Sequence, residues 1–193
     1  MAMVTKLAPD FTADAVMPDN TFAKISLSDY RGKYVVLFFY PMDFTFVCPT
    51  ELIAFDRQFE AFKKLNAEVI AVSVDSVYSH FAWKSMEPKE GGIGNVKYPI
   101  VGDISKKISR DYDVLLDDSV ALRGLFLIDK GGVIRHQVVN DLPLGRNIGE
   151  ALRMVEALRF FEEHGDVCPA NWQQGEDGVV ADARGIADYL AKH

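Results

Sequence analysis

An α/β fold, with a mixed sheet flanked by helices, follows from three features of the sequence. Residues 34–40, Tyr-Val-Val-Leu-Phe-Phe-Tyr, are a continuous apolar run of strand length. Leu52, Phe55, Phe59, Phe62 and Leu65 then recur at helical spacing, and residues 69–74 are a second apolar run. Strand, helix and strand in that order make a βαβ unit with parallel strands and a right-handed crossover.

The other elements follow along the chain. Residues 76–86 read as a helix. The loop after it, Pro88-Lys89-Glu90-Gly91-Gly92-Ile93-Gly94-Asn95, has glycines that do not follow a strand in the spacing of a phosphate-binding turn. Residues 104–112 suit a short helix. Residues 124–129 and 133–139 flank Lys130-Gly131-Gly132 and read as an antiparallel hairpin, which makes the sheet mixed. The second of these strands closes the strand order, so it is a candidate edge at which another chain can pair. Asn147, with Glu150 three residues on, caps a helix whose apolar face is Ile148, Ala151, Leu152, Val155, Leu158 and Phe161; Gly165 ends it. Beyond it, Cys168-Pro169-Ala170-Asn171-Trp172 and a stretch rich in Gly and Asp read as an extended, mobile arm. The expected division is therefore a domain over residues 1–164 and a C-terminal arm over 165–193 that carries Cys168.

Composition narrows the function. A chain of 193 residues can bury one sizeable core. With 28 acidic and 21 basic residues and a net charge of −7, it offers no broad basic surface to nucleic acid or anionic lipid. The start, Met1-Ala2-Met3-Val4-Thr5-Lys6, lacks the apolar core of a signal peptide, and no apolar run approaches the ~20 residues of a membrane span. A soluble, cytoplasmic protein is expected. Its two cysteines, Cys48 and Cys168, form no CxxC pair, and in a reducing compartment a disulfide between them would be transient and catalytic. His80, His136, His164 and His193 show no ligand spacing, so no metal is expected.

Cys48 is the candidate nucleophile. A free cysteine is commonly a small buried hydrophobe. This one lies where an apolar strand, ended by Pro41, passes into a helix. A helix start carries unpaired N–H groups and roughly half a positive charge, both of which favour thiolate over thiol. The carboxyl end of a parallel strand is also where open α/β sheets place their ligands. Thr45, three residues earlier, can set a hydroxyl beside the sulfur, and the Pro41 ring can wall off one side. Glu51, one helical turn beyond, can hold a guanidinium or simply complement the helix dipole.

The run Asp43-Phe44-Thr45-Phe46-Val47-Cys48-Pro49-Thr50-Glu51 resembles the peroxidatic site of typical two-cysteine peroxiredoxins, the alkyl hydroperoxide reductase C and thioredoxin peroxidase group. So do Ser73-Val74-Asp75-Ser76, Arg123-Gly124-Leu125-Phe126, residues 139–146 and Gly165-Asp166-Val167-Cys168-Pro169-Ala170-Asn171-Trp172, in order along nearly the whole chain. The resemblance implies a thioredoxin-like fold and reduction of hydrogen peroxide or organic hydroperoxides without bound cofactor. It also implies a homodimer that assembles into decamers through the surface around Phe44, Phe46 and Trp83. Cys48 would become a sulfenic acid, with Arg123, the Cys48 N–H and Thr45 as donors to the peroxide and Arg146 as a second arginine nearby. Cys168 of the other subunit would then form the disulfide, to be reduced by an external dithiol, either thioredoxin or a flavoprotein disulfide reductase. From the residues alone, pairing within one chain stays open. Gly91-Gly92-Ile93-Gly94 resembles the Gly-Gly-Leu-Gly loop of peroxide-sensitive relatives. The apolar set Ile186, Tyr189 and Leu190 can then pack beside the Cys48 helix and delay Cys168. A cysteine hydrolase is the competing enzyme class, but no histidine falls in a companion motif, and a holdase role has no sequence signal.

Overall fold

The computed structural model of the chain describes residues 2–192. Met1, part of the stretch read for a leader, and His193, one of the histidines weighed as ligands, lie outside the described residues. The chain opens with an antiparallel hairpin, β1 (Thr12–Val16) and β2 (Phe22–Ser26). Next come β3 (Tyr34–Phe39), α1 (Cys48–Arg57), α2 (Phe59–Lys64), β4 (Ala67–Ser73) and α3 (Val77–Lys84). They are followed by β5 (Ile100–Gly102), α4 (Lys107–Asp111) and a two-stranded ribbon of β6 (Leu115–Leu116) and β7 (Val120–Ala121). The hairpin of β8 (Arg123–Ile128) and β9 (Ile134–Asn140), then α5 (Ile148–His164) and α6 (Ala183–Leu190), complete the chain. The main sheet has seven strands in the order β2-β1-β5-β4-β3-β8-β9. β3, β4 and β5 are parallel and the remaining pairings antiparallel, so the expected mixed sheet flanked by helices is observed, with β9 at one edge.

β3 sits deep in the sheet, and its alternation explains why the whole run is apolar. Tyr34, Val36 and Phe38 join Leu52, Phe55, Phe62, Ile148 and Val155 in one core, under α1, α2 and α5. Val35, Leu37 and Phe39 join Ile70, Ile108, Tyr112 and Phe126 in the other. Phe38 stacks on Phe55 with ring centroids 4.1 Å apart, which fixes α1 over the end of β3.

Three local expectations are corrected, and one set of strands is new. The apolar stretch 52–65 is two helices, because Gln58 turns more tightly (φ −99°, ψ 4°) and its N–H bonds Phe55 and Asp56 carbonyls. The short helix is Lys107–Asp111: the Asp103 carboxylate accepts from the N–H groups of Ile108 and Ser109, while Ile104 stays out in solvent. The hairpin β1–β2 and strand β5 had no counterpart in the sequence reading. The stretch after Gly165, expected to be extended, folds back on α5: Val167 bridges Val179, and Trp172 is 1% exposed, packed on Phe160. Within the chain α6 shares a groove with Phe160 of α5 and with Asp166 and Gly178 of that segment. Asn147 does cap α5, its side-chain oxygen accepting from the Glu150 N–H at 3.2 Å, and Gly165 ends it with φ +79°.

Candidate active site

Cys48 is the first residue of α1 and is fully buried. β3 stops at Phe39, and buried Tyr40 and Pro41 lead into the loop that delivers the sulfur. β8 lies antiparallel beside β3 with Phe38 opposite Leu125, and continuing that register sets Arg123 next to Tyr40, at the same end of the sheet. The Arg123 Nη1 reaches the Cys48 sulfur at 3.4 Å and Glu51 Oε2 at 2.7 Å, while its Nε donates to the Leu142 carbonyl at 2.7 Å. Arg146, just before α5, clamps Glu51 from the other side. Its Nε and Nη2 lie 2.8 and 2.9 Å from the two carboxylate oxygens, and its backbone N–H adds a third bond at 2.8 Å. The guanidinium of Arg146 also lies 5.2 Å from the centroid of the Phe38 ring and donates to the Gly124 carbonyl.

The resulting cluster holds two cations and one carboxylate, all nearly excluded from water. Burial works to raise the pKa of Glu51, but the hydrogen bonds and charge of Arg146 and the charge of Arg123 outweigh it and hold the carboxyl below its ordinary range. Glu51 offsets only one of the two positive charges, and the Arg123 guanidinium also borders the Cys48 sulfur.

Thr45 is placed differently from expectation. Its hydroxyl donates to the Met42 carbonyl at 2.9 Å, inside the loop. The cause is the backbone of Phe44, held at φ +55°, a left-handed turn uncommon for a bulky residue, which folds Thr45 back over Met42. The structure thus brings Cys48, Glu51, Arg123 and Arg146 into one cluster, sets buried Pro41 at the base of the loop, and turns the Thr45 hydroxyl to the loop's own backbone.

A second polar cluster, which sequence reasoning missed, pins that loop. Asp43 is 4% exposed; its carboxylate accepts from Tyr40 Oη at 2.7 Å and faces His80 Nδ1 at 2.8 Å. The Asp43 N–H donates to Asp75, which also accepts from the Ser73 hydroxyl. His80 Nε2 faces the Val101 carbonyl at 3.2 Å. No local pattern joins residues 37 positions apart. The exposed side of the loop leans on Trp83 through Phe44, 5.8 Å away, and Trp83 Nε1 in turn donates to Gly91.

Cys168 stands apart from this cluster. Its thiol points to the Ala157 carbonyl of α5 at 3.4 Å, beside a groove of about 200 Å³ lined by Leu127, Met154, Leu158 and Phe161. Burial raises its pKa, partly offset by the charge of Arg153. Both cysteines are free thiols. Among the described residues, no three His, Cys, Asp or Glu side chains group as metal ligands, and no helix is long and apolar enough to cross a membrane.

Comparison with known proteins matches this architecture along its length. Residues 4–137 match the AhpC/TSA family, and residues 157–192 match the C-terminal domain of 1-Cys peroxiredoxin. The chain is 56% identical to alkyl hydroperoxide reductase C of Helicobacter pylori strain J99 over 193 residues, covering 99% of this chain and 98% of that protein. It is 52% identical to peroxiredoxin-1 of Gallus gallus over 192 residues, 99% of this chain and 96% of that protein. The crystal structure of reduced Plasmodium vivax 2-Cys peroxiredoxin superposes with a TM-score of 0.97 at 49% identity, covering 99% of this chain and 100% of that one.

Proposed function

The chain belongs to the AhpC/TSA family, the peroxiredoxins, and is a thiol-dependent peroxidase of thioredoxin-like fold; from that premise we propose that Cys48 is its peroxidatic sulfur and Cys168 its resolving one. The observation that carries the proposal is the Arg123 guanidinium, 3.4 Å from the Cys48 sulfur and 2.7 Å from the carboxylate of Glu51. Hydrogen peroxide or an organic hydroperoxide is the substrate. The Cys48 thiolate attacks the terminal peroxide oxygen, the O–O bond breaks, and its electron pair leaves on the second oxygen, which takes up a proton as water or alcohol. The sulfur is left as sulfenic acid. Negative charge moves from sulfur to the departing oxygen, so a guanidinium already fixed by Glu51 and Leu142 stabilises the transition state without having to reorganise. Arg146 and Glu51 hold that geometry, Pro41 ends the strand beneath it, and Thr45 turns toward the peroxide when the loop admits it.

The arm over residues 165–193 then brings Cys168 of one subunit to Cys48 of the other. The Cys168 sulfur attacks the sulfenic sulfur, the S–O bond breaks, and hydroxide leaves with the thiol proton as water. Thioredoxin or a flavoprotein disulfide reductase restores the two thiols. The working form is a homodimer that assembles into decamers.

The test is peroxide consumption coupled to a dithiol reductant. Cys48→Ser abolishes turnover. Cys168→Ser consumes about one peroxide per subunit and accumulates a sulfenic acid that dimedone labels. Undiminished turnover by Cys48→Ser refutes the assignment.

A further inference from the structure

Arg153, on the outer face of α5, takes no part in the cluster around Cys48. Its guanidinium is 20% exposed and is fixed by a fork on Glu150, one helical turn back, with Nε and Nη2 at 2.6 and 2.7 Å from the two carboxylate oxygens. The fork leaves Nη1 aimed at the arm, where it donates to the Trp172 carbonyl at 2.8 Å. The indole of Trp172 is buried 4.9 Å from the Phe160 ring, and its Nε1 closes the turn on the Glu176 carbonyl. Four residues before Trp172, the thiol of Cys168 is held against the Ala157 carbonyl. The segment carrying the resolving thiol is thus fastened at Val167–Val179 and at Trp172–Arg153. Of these, only the second is a charge-assisted bond, roughly twice the strength of a neutral one.

We infer that Arg153 is a clasp that keeps the Cys168 segment folded on α5 and so sets how fast the resolving thiol is released to the sulfenic acid. The inference rests on the resolving role assigned to Cys168. A half-buried thiol facing a helix carbonyl cannot reach another sulfur until its segment lifts. Lifting it means breaking the Arg153–Trp172 bond, and while the segment stays down a second peroxide can oxidise the waiting sulfenic acid to sulfinic acid. Arg153 is therefore a positioning residue for the second step and is silent in the first.

The full-length reduced protein is mixed rapidly with hydrogen peroxide and quenched, and mass spectrometry counts sulfenic acid, disulfide and sulfinic acid. Arg153→Ala should form the disulfide about tenfold or more faster than wild type, the size expected for loss of one hydrogen bond to a charged group. It should form correspondingly less sulfinic acid per turnover, with Cys48 oxidised at the wild-type rate. Arg153→Lys keeps a cation but loses the fork and should fall between the two. Glu150→Gln, which leaves Arg153 in place but loosens its fork, should shift the disulfide step in the same direction by less. A disulfide step that is unchanged or slower in Arg153→Ala overturns the clasp, as does a change in the rate of the first oxidation. Disulfide formation that persists in Cys168→Ser instead overturns the resolving role itself.

Discussion

Glu51 accepts four hydrogen bonds from two buried arginines, and its loss leaves both guanidinium groups without their counter-ion. Glu51→Ala should therefore destabilise the fold by about 3–5 kcal/mol, as breaking a buried ion pair does, measured by urea unfolding of the reduced protein. Arg123→Ala should lower the second-order rate with peroxide by more than tenfold, since one aimed donor is commonly worth about 2.7–4 kcal/mol at a transition state; stopped-flow mixing measures it, and an unchanged rate removes Arg123 from catalysis. Lys84 tests electrostatics away from the site. It is 2% exposed, its ammonium donates to the Met17 carbonyl at 2.8 Å, and burial pushes its pKa down to about 8 from the ordinary 10.5, against the weaker pull of Asp19 and Asp56. Because the folded pKa lies below the unfolded one, the unfolded chain binds more protons between those two values. The penalty is whole below about pH 8 and fades as pH rises toward 10.5. Lys84→Met should stabilise the protein by up to about 3 kcal/mol at pH 7, with the advantage shrinking above pH 8; the Met17 carbonyl keeps its bond from the Asn20 N–H. At this scale the legible residues were those with a local pattern, Cys48 at a strand-to-helix junction and Glu51 one turn on. Asp43 and His80 meet only because β3 and β4 lie side by side and carry the loop and α3 to the same end of the sheet, and no window of sequence records that.

Among the elements, β3, α1, β4, β8, β9 and α5 were legible because each is a sustained apolar pattern buried on at least one face. The hairpin β1–β2 alternates small and polar residues around partly exposed positions, and β5 is three residues placed by its neighbours on both sides, so neither has a periodicity of its own to read. The first turn of α1 carries the chemistry and the greatest conflict. Cys48 is wholly buried, and the chain before it is held in a left-handed turn at Phe44 by Asp43, Tyr40, His80 and Trp83. The proposed disulfide to Cys168 would require that turn to unwind, and strain of about 1–3 kcal/mol at such a residue would favour the unwound state. The C-terminal helix opposes unwinding of its own segment. Deleting residues 180–193 should leave the first oxidation unchanged and lower the sulfinic acid formed per turnover, counted by mass spectrometry at fixed peroxide; equal overoxidation of both proteins removes α6 from the competition.

At the scale of the molecule, the sheet ends on β9, seven residues long; its first residue, Ile134, bonds Thr5 and Lys6 on the outer side, and among the described residues no further strand pairs with that edge. The rest of that edge can take an equal edge from a second copy, the pairing expected of the proposed dimer. Oxidised protein on a nonreducing gel should run as a covalent dimer, and a monomer band with an internal disulfide refutes exchange between subunits. Phe46 stands 93% exposed and Phe44 51% exposed on the loop before Cys48, so the proposed decamer, with its contact placed on that loop, should loosen when the disulfide forms. Sedimentation velocity on fully reduced and fully oxidised samples checks this, and identical distributions count against it. The chain has two tryptophans, and each is seated on one of the parts that must move: Trp83 against Phe44 of the loop, Trp172 under the Arg153 bond of the arm. The protein consequently carries its own pair of optical reporters. Removing Trp83 leaves an emission that follows the arm alone, and removing Trp172 leaves one that follows the loop, so the order in which the two parts open can be timed without attaching a dye.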